Sequence, residues 1–343
     1  MYYLLILLSA FLGSYVVIAW LLKLPANMAA LDQPNHRSLH AEPVSRLGGI
    51  GILTGLLIAL GLMLFEFVWE ERLLLVAGGL MIVSLISFAD DIYSLGGLIR
   101  IIAHTTAGAL VVYAGFVIEP VSLPWLSSHL LMYATVLLTV TYIVWMVNLY
   151  NFMDGIDGLA GGMALFGFGA LGVIGFYEGK TAFAVINLAI ASSSLGFLVW
   201  NYPPAKIFMG DSGSSSLGFL AAVLSIWAHM NEIIPIWISV VIFSPFIVDA
   251  TVTLIIRIIK RERFWAAHKT HHYQLLADSG MDRRKLVNYE YVLMLVCAVI
   301  AVISYDARPD VQALFIVMLG ILYIVLMLYA RKQAVKSAGL KKI

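Results

Sequence analysis

Eleven apolar windows dominate this chain, at residues 2–22, 47–67, 73–89, 98–117, 131–147, 160–177, 182–200, 214–230, 234–256, 290–305 and 311–330. A helix needs about 20 mostly apolar residues to cross the hydrocarbon of a bilayer. Most windows meet or approach that length, and a backbone in lipid must satisfy its own N–H and C=O groups, which makes helices the expected element. Of the 343 residues, 62% are hydrophobic and 12% charged, with a mean hydropathy of +0.94, so an ordinary soluble domain is excluded. The expected fold class is all-α: a polytopic integral membrane protein of about 11 transmembrane helices, in a single domain over 1–343. The first window opens Tyr2-Tyr3-Leu4 with no basic segment ahead of it and no small-residue cleavage site behind it, and reads as a retained span. A lone cysteine, Cys297, permits neither an intrachain disulfide nor a cysteine-based metal cluster.

Charge orients the spans. Of the 21 Lys and Arg residues, all but Arg72, Lys180 and Arg308 fall on one side of the expected membrane. The positive-inside rule then puts the N-terminus in the periplasm and the C-terminus in the cytoplasm. Five carboxylates, Asp90, Asp91, Asp154, Asp157 and Asp211, fall at cytoplasmic ends of spans, where an ionised group in apolar surroundings suggests function.

Four segments carry the chemistry. Phe88-Ala89-Asp90-Asp91 ends the third span with two adjacent carboxylates, which repel unless a cation or a set of donors offsets them. The alternative is a solvated pair at a helix C-terminus. Between Asn148 and Gly158, side-chain oxygens at Asn148, Asn151, Asp154 and Asp157 recur every third residue, sharing a face wherever the backbone is helical. Gly155 and Gly158 predict a turn that aims them inward. Asn201 to Ser214 joins Lys206, Phe208 and Gly210-Asp211-Ser212-Gly213 to the start of a helix. That arrangement suits phosphate at the free N–H groups with a metal on Asp211, or an ordinary N-cap in which Asp211 or Ser212 caps its own helix. His268, His271 and His272 stand at i, i+3 and i+4, on one face if helical, and suit phosphate contacts better than zinc. Arg257, Lys260, Arg261, Arg263 and Lys269 beside them are explained equally by topology. Arg37, His40 and Arg46, in the first cytoplasmic loop, could clamp phosphate oxygens or simply load that loop with positive charge.

Taken in order, these segments resemble the signature set of the polyprenyl-phosphate N-acetylhexosamine-1-phosphate transferases, over roughly 32–275. The resemblance implies that Asp211 is the principal Mg²⁺ ligand, with Asp154 contributing and Mn²⁺ as the alternative ion. It implies that Asp90, with Asp91 beside it, assists the lipid phosphate, and that Asn151, Asp154 and Asp157 shape the metal and nucleotide site. Phe208 is then an aromatic near uracil and the histidines contact the diphosphate. Asp90, Asp91, Asp154 and Asp157 are the catalytic candidates. Arg37, His40, Arg46, Asn148, Asn151, Asn201, Lys206, Phe208, His268, His271 and His272 are the substrate-binding candidates. Cytoplasmic loops 23–46, 90–97, 148–159, 201–213 and 257–289 would form the active site. Many members carry H-x-H-H, whereas this chain has H-x-x-H-H followed by Tyr273-Gln274, which is similar to the O-antigen-initiating branch. Implied partners are a UDP-N-acetylhexosamine, undecaprenyl phosphate, the bilayer of a bacterial inner membrane and a second copy as homodimer, with no nucleic acid. A secondary transporter with intramembrane carboxylates is the rival reading, although its ionisable groups would lie near the midplane.

Overall fold

The computed structural model describes residues 1–25, 30–32, 43–119, 128–263 and 268–340. Arg37 and His40 lie outside the described residues. Every apolar window coincides with a helix. In chain order these are α1 (Tyr2–Leu21), α2 (Gly48–Met63), α3 (Leu73–Tyr93), α4 (Gly97–Tyr113), α5 (Ser128–Met153), α6 (Leu159–Tyr177), α7 (Thr181–Asn201) and α8 (Gly210–Met230). They continue with α9 (Ile236–Ile242), α10 (Ser244–Ile259), the short α11 (His272–Asp278), α12 (Arg283–Ser304) and α13 (Pro309–Leu340). Among the described residues, eight helices are long and apolar enough to cross a membrane, or nine if α9 and α10, bent by 84° at their junction, make one broken span. α2 and α4 are shorter apolar helices. The protein is therefore an all-α polytopic membrane protein.

Composition explains where each helix sits. The most apolar stretch of α13 is only 6% buried, so most of its side chains face outward, whereas that of α8 is 83% buried, which makes α8 the central helix. α8 tolerates this because it is built from small residues. Ser214, Ser216 and Ser225 return their hydroxyls to carbonyls one turn back, and Ser216 also pairs with Ser84 of α3 at 2.7 Å. Small residues and such hydroxyl contacts let membrane helices approach closely. At its N-terminal end α8 abuts α2, where a Cβ on Gly49 would strike the backbone of Gly213.

The break between α9 and α10 has a local cause. Pro245 in the first turn of α10 cannot continue a helix running through from α9. Ser244 Oγ donates to Val241 O at 2.7 Å and pairs with Tyr323 OH of α13 at 2.6 Å. A two-residue antiparallel ladder, β1 (Leu31–Asp32) with β2 (Val44–Ser45), closes the first loop. Beyond it the backbone is stitched to the start of α8: Phe208 N–H donates to Ser45 O at 2.8 Å, Gly48 N–H to Phe208 O at 2.9 Å and Gly49 N–H to Met209 O at 2.7 Å.

Candidate active site

The start of α8 organises the first half of the site. Gly210 has φ +73, and a Cβ there would meet Arg46 O, so glycine is needed for both conformation and space. Neither Asp211 nor Ser212 caps α8. Asp91, from the last turn of α3, does so instead: its Oδ1 accepts from Asp211 N–H at 2.8 Å and its Oδ2 from Ser212 N–H at 3.0 Å. A carboxylate opposite a positive helix end is favourable, which explains how an acidic pair can end α3 against that helix's own dipole. It also corrects the expectation that these N–H groups bind phosphate, because Asp91 already occupies them.

Asp90 is offset differently. Arg100, on α4, places Nη1 at 3.0 Å from Asp90 Oδ2 and 3.1 Å from Asp211 Oδ2, so one guanidinium joins the carboxylates of α3 and α8. Asp154 lies just beyond the end of α5, half-buried. Burial, and then the charges of Asp211, Asp91 and Asp157, push its carboxyl up to about 8, with Arg46 acting in the opposite direction. Asp90, Asp91, Asp154 and Asp211, with Arg46 and Arg100, thus converge on one centre.

The oxygen ladder divides at the end of α5. Asn148 Nδ2 returns to Val144 O at 2.7 Å, while Asn151 Nδ2 donates to Ser214 Oγ at 3.1 Å and ties α5 to α8. After Met153 the chain leaves the helix, and Gly158, at φ +80, opens α6 as the spacing predicts. Asp157 therefore does not share a helical face with Asn148. Its Oδ2 accepts from Ala205 N–H at 3.0 Å and holds the turn before α8. Asn201, 5% exposed, accepts from Gly158 N–H and donates to Ile207 O, both at 2.8 Å, and is a brace between α6, α7 and that turn. Replacing it with Ala strands a buried donor and a buried acceptor at roughly 1–3 kcal/mol each. A fall in the thermal unfolding midpoint of Asn201→Ala in detergent, exceeding that of any surface substitution, is the expected result. Lys206 is exposed with Nζ 5.3 Å over the Trp200 ring, and Phe208 is half-buried beside β2.

The histidines do not form a helical face. His268 precedes α11 in irregular chain, His271 is the N-cap and His272 the first helical residue. Burial, then His271 and Arg257, push the His268 imidazole down to about 4, leaving it neutral at pH 7. The group that assembles this cluster is Asp249 of α10, which the motif spacing does not reveal. Its Oδ1 accepts from His272 N–H and contacts His272 Nδ1, both at 2.9 Å, and its Oδ2 accepts from Tyr273 N–H at 3.2 Å. The available signal was a single carboxylate inside the apolar window 234–256. Tyr273 OH donates to Phe152 O at 3.1 Å, so α11 docks on the segment leading to Asp154. Arg284 and Tyr291 of α12 add bonds to Pro203 O at 2.9 Å and Gly158 O at 2.8 Å.

Among the described residues, no three acidic, histidine or cysteine side chains stand close enough to hold a metal ion as they are arranged. The donor set nevertheless fits a hard divalent cation: all of its oxygens are carboxylates, and the mutual repulsion felt by Asp154 is what such an ion relieves.

Four carboxylates and two arginines thus gather at one end of the central helix of a helical membrane protein, an arrangement that can hold a cation. The family profile described as Glycosyl transferase family 4 matches residues 73–229, from α3 through α8. In Bacillus subtilis (strain 168), a protein named as a probable undecaprenyl-phosphate N-acetylglucosaminyl 1-phosphate transferase is 29% identical over 304 residues, 88% of this chain and 84% of that protein. A decaprenyl-phosphate N-acetylglucosaminephosphotransferase of Mycobacterium tuberculosis (strain H37Rv) is 29% identical over 345 residues, 91% of this chain and 84% of its own. A phospho-N-acetylmuramoyl-pentapeptide-transferase of Listeria monocytogenes is 36% identical over 166 residues, 46% of this chain and 49% of its own. On these likenesses the chain is a phosphotransferase similar to the polyprenyl-phosphate N-acetylglucosamine-1-phosphate transferases.

Proposed function

We propose that this protein transfers an N-acetylhexosamine-1-phosphate from a UDP-sugar to a polyprenyl phosphate, undecaprenyl phosphate in particular, releasing UMP. The product, a polyprenyl-diphosphate-linked sugar, would start a cell-surface polysaccharide such as O-antigen. The observation that carries this reading is the meeting of Asp90, Asp91, Asp154 and Asp211 with Arg46 and Arg100 at the start of α8. The family profile matched over α3 to α8 and the names of the relatives support the same acceptor class. The reading includes eleven spans in a bacterial inner membrane, with the site facing the cytoplasm. The charge distribution supports that orientation, since Arg46, Arg100, Lys206 and Arg257 all lie on the side of the site.

The chemistry follows from charge. Donor diphosphate and acceptor phosphomonoester bring several negative charges together, and uncompensated they would repel. Mg²⁺, held by Asp211 and Asp154, supplies that neutralisation when bound. Arg46 and Arg100 add fixed positive charge. With a second pKa of about 6, the acceptor phosphate is mostly dianionic at pH 7, so no strong base is required. Asp90, held by Arg100, orients the acceptor and takes any remaining proton, and the acceptor oxygen attacks the β-phosphorus directly, with UMP leaving. Mass spectrometry of the lipid product after offering a panel of UDP-N-acetylhexosamines with undecaprenyl phosphate tests the proposal. A lipid carrying diphosphate and one N-acetylhexosamine is expected, and recovery of only unmodified lipid from every donor would refute it.

A further inference from the structure

Asp249, on α10, is a buried carboxylate whose acceptor positions are taken by its neighbours. It is 8% exposed. Besides the three contacts within α11, Thr253 Oγ1 donates to its Oδ1 at 3.1 Å, and His271 Nδ1 stands 3.5 Å from the same oxygen. With Oδ1 occupied in this way and the side chain buried, Asp249 is poorly placed to meet a metal ion or a substrate proton, so its role must act through the groups that hold it.

Those groups are the histidines. An ionised carboxylate only accepts, so the proton at the 2.9 Å contact sits on His272 Nδ1, which fixes the tautomer and leaves Nε2 as the ring's chemically available nitrogen. The setting strengthens this contact. Asp249 and His272 line one end of a largely apolar cavity of about 480 Å³ between α10, α12 and α13, whose other walls include Leu286, Leu293, Leu322 and Leu326. In such surroundings a charged hydrogen bond competes with little water. The same carboxylate caps α11, and α11 docks through Tyr273 OH on Phe152 O, two residues before Asp154.

We propose that Asp249 is a positioning residue: by accepting from His272 Nδ1 and the first N–H groups of α11, it sets the tautomer and placement of His272 on α11, the helix that docks through Tyr273 OH beside Asp154. This inference rests on the donor assigned under Proposed function, and its test has an arm independent of that assignment.

The test uses full-length protein labelled with ¹⁵N-histidine in nanodiscs, with the His272 signals identified by their loss in His272→Gln. The wild type is expected to show a protonated Nδ1. Asp249→Ala is expected to lose that preference and to reduce kcat/KM for the UDP-sugar by about 10²-fold, the scale of a misplacement of about 1 Å. Asp249→Asn has a single acceptor oxygen to share between the helix N–H groups and the ring, and is expected to fall between, with about a tenfold loss. It serves alone if the alanine variant fails to fold. Combining Asp249→Asn with His272→Gln is expected to cost no more than the worse single change, because both act through one ring. Wild-type tautomer with wild-type turnover in Asp249→Asn, or losses that multiply in the double variant, would overturn the proposal. Absence of turnover in the wild type with every donor would instead count against the assigned reaction, while the ¹⁵N signals would still decide the role of Asp249.

Discussion

Asp211→Asn is expected to reduce kcat by on the order of 10³-fold, because a ligand charge worth several kcal/mol to a metal-assisted transfer is lost and each 1.4 kcal/mol is a factor of ten. The fold should survive. The Asp211 side chain is 31% exposed and its ion pair is with Arg100, itself 34% exposed, so water and salt screen what the pair contributes to stability. The backbone N–H that Asp91 accepts from is unchanged by the substitution. Thermal unfolding should therefore move by only a few degrees while turnover collapses, and a variant retaining a tenth of wild-type kcat would exclude Asp211 as the principal ligand.

Asp91→Ala is expected to behave differently, losing stability and activity together. Two N–H groups at the start of a nearly buried helix would lose their acceptor, and loss of a cap of this kind costs roughly 1–2 kcal/mol. The first turn of α8 carries Asp211, so its loosening moves the metal ligand as well, and about a 10²-fold fall in kcat/KM follows from displacement alone. Asp91→Asn, which keeps one acceptor oxygen, should recover part of both. The unfolding midpoint and kcat/KM measured on the same preparations test this. Full activity with a lowered midpoint would mean that α8 does not depend on Asp91 for its aim.

The difference between these neighbours shows how far a sequence can be read. Composition and window length made the helices legible, because lipid leaves few alternatives to a backbone. The carboxylates at span ends were legible for the same reason: charge in apolar surroundings is costly without a purpose. Their division of labour was not. Asp90 and Asp91 are adjacent, yet one meets Arg100 and the other caps α8, a choice made by how α3, α4 and α8 pack. Asn201 and Asp157 belong to the motifs, but their polar atoms are spent on Gly158, Ile207 and Ala205, so they hold the turn's shape. Helical spacing misread the histidines because α11 begins only at His272, where a carboxylate from α10, 23 residues earlier, supplies the cap. Asp249 has no patterned neighbours, and only the folded chain reveals what it holds. The family profile likewise ends within α8, before this second cluster begins.

Release of UMP from a UDP-N-acetylhexosamine by the purified chain in detergent tests the central claim most directly, measured with and without polyprenyl phosphate and with and without a chelator. Shared carboxylates acting through one divalent ion predict release that requires the lipid phosphate, stops on chelation and returns when Mg²⁺ is restored. Release that continues undiminished under chelation, or no release alongside substrate-driven uptake into vesicles, would contradict it.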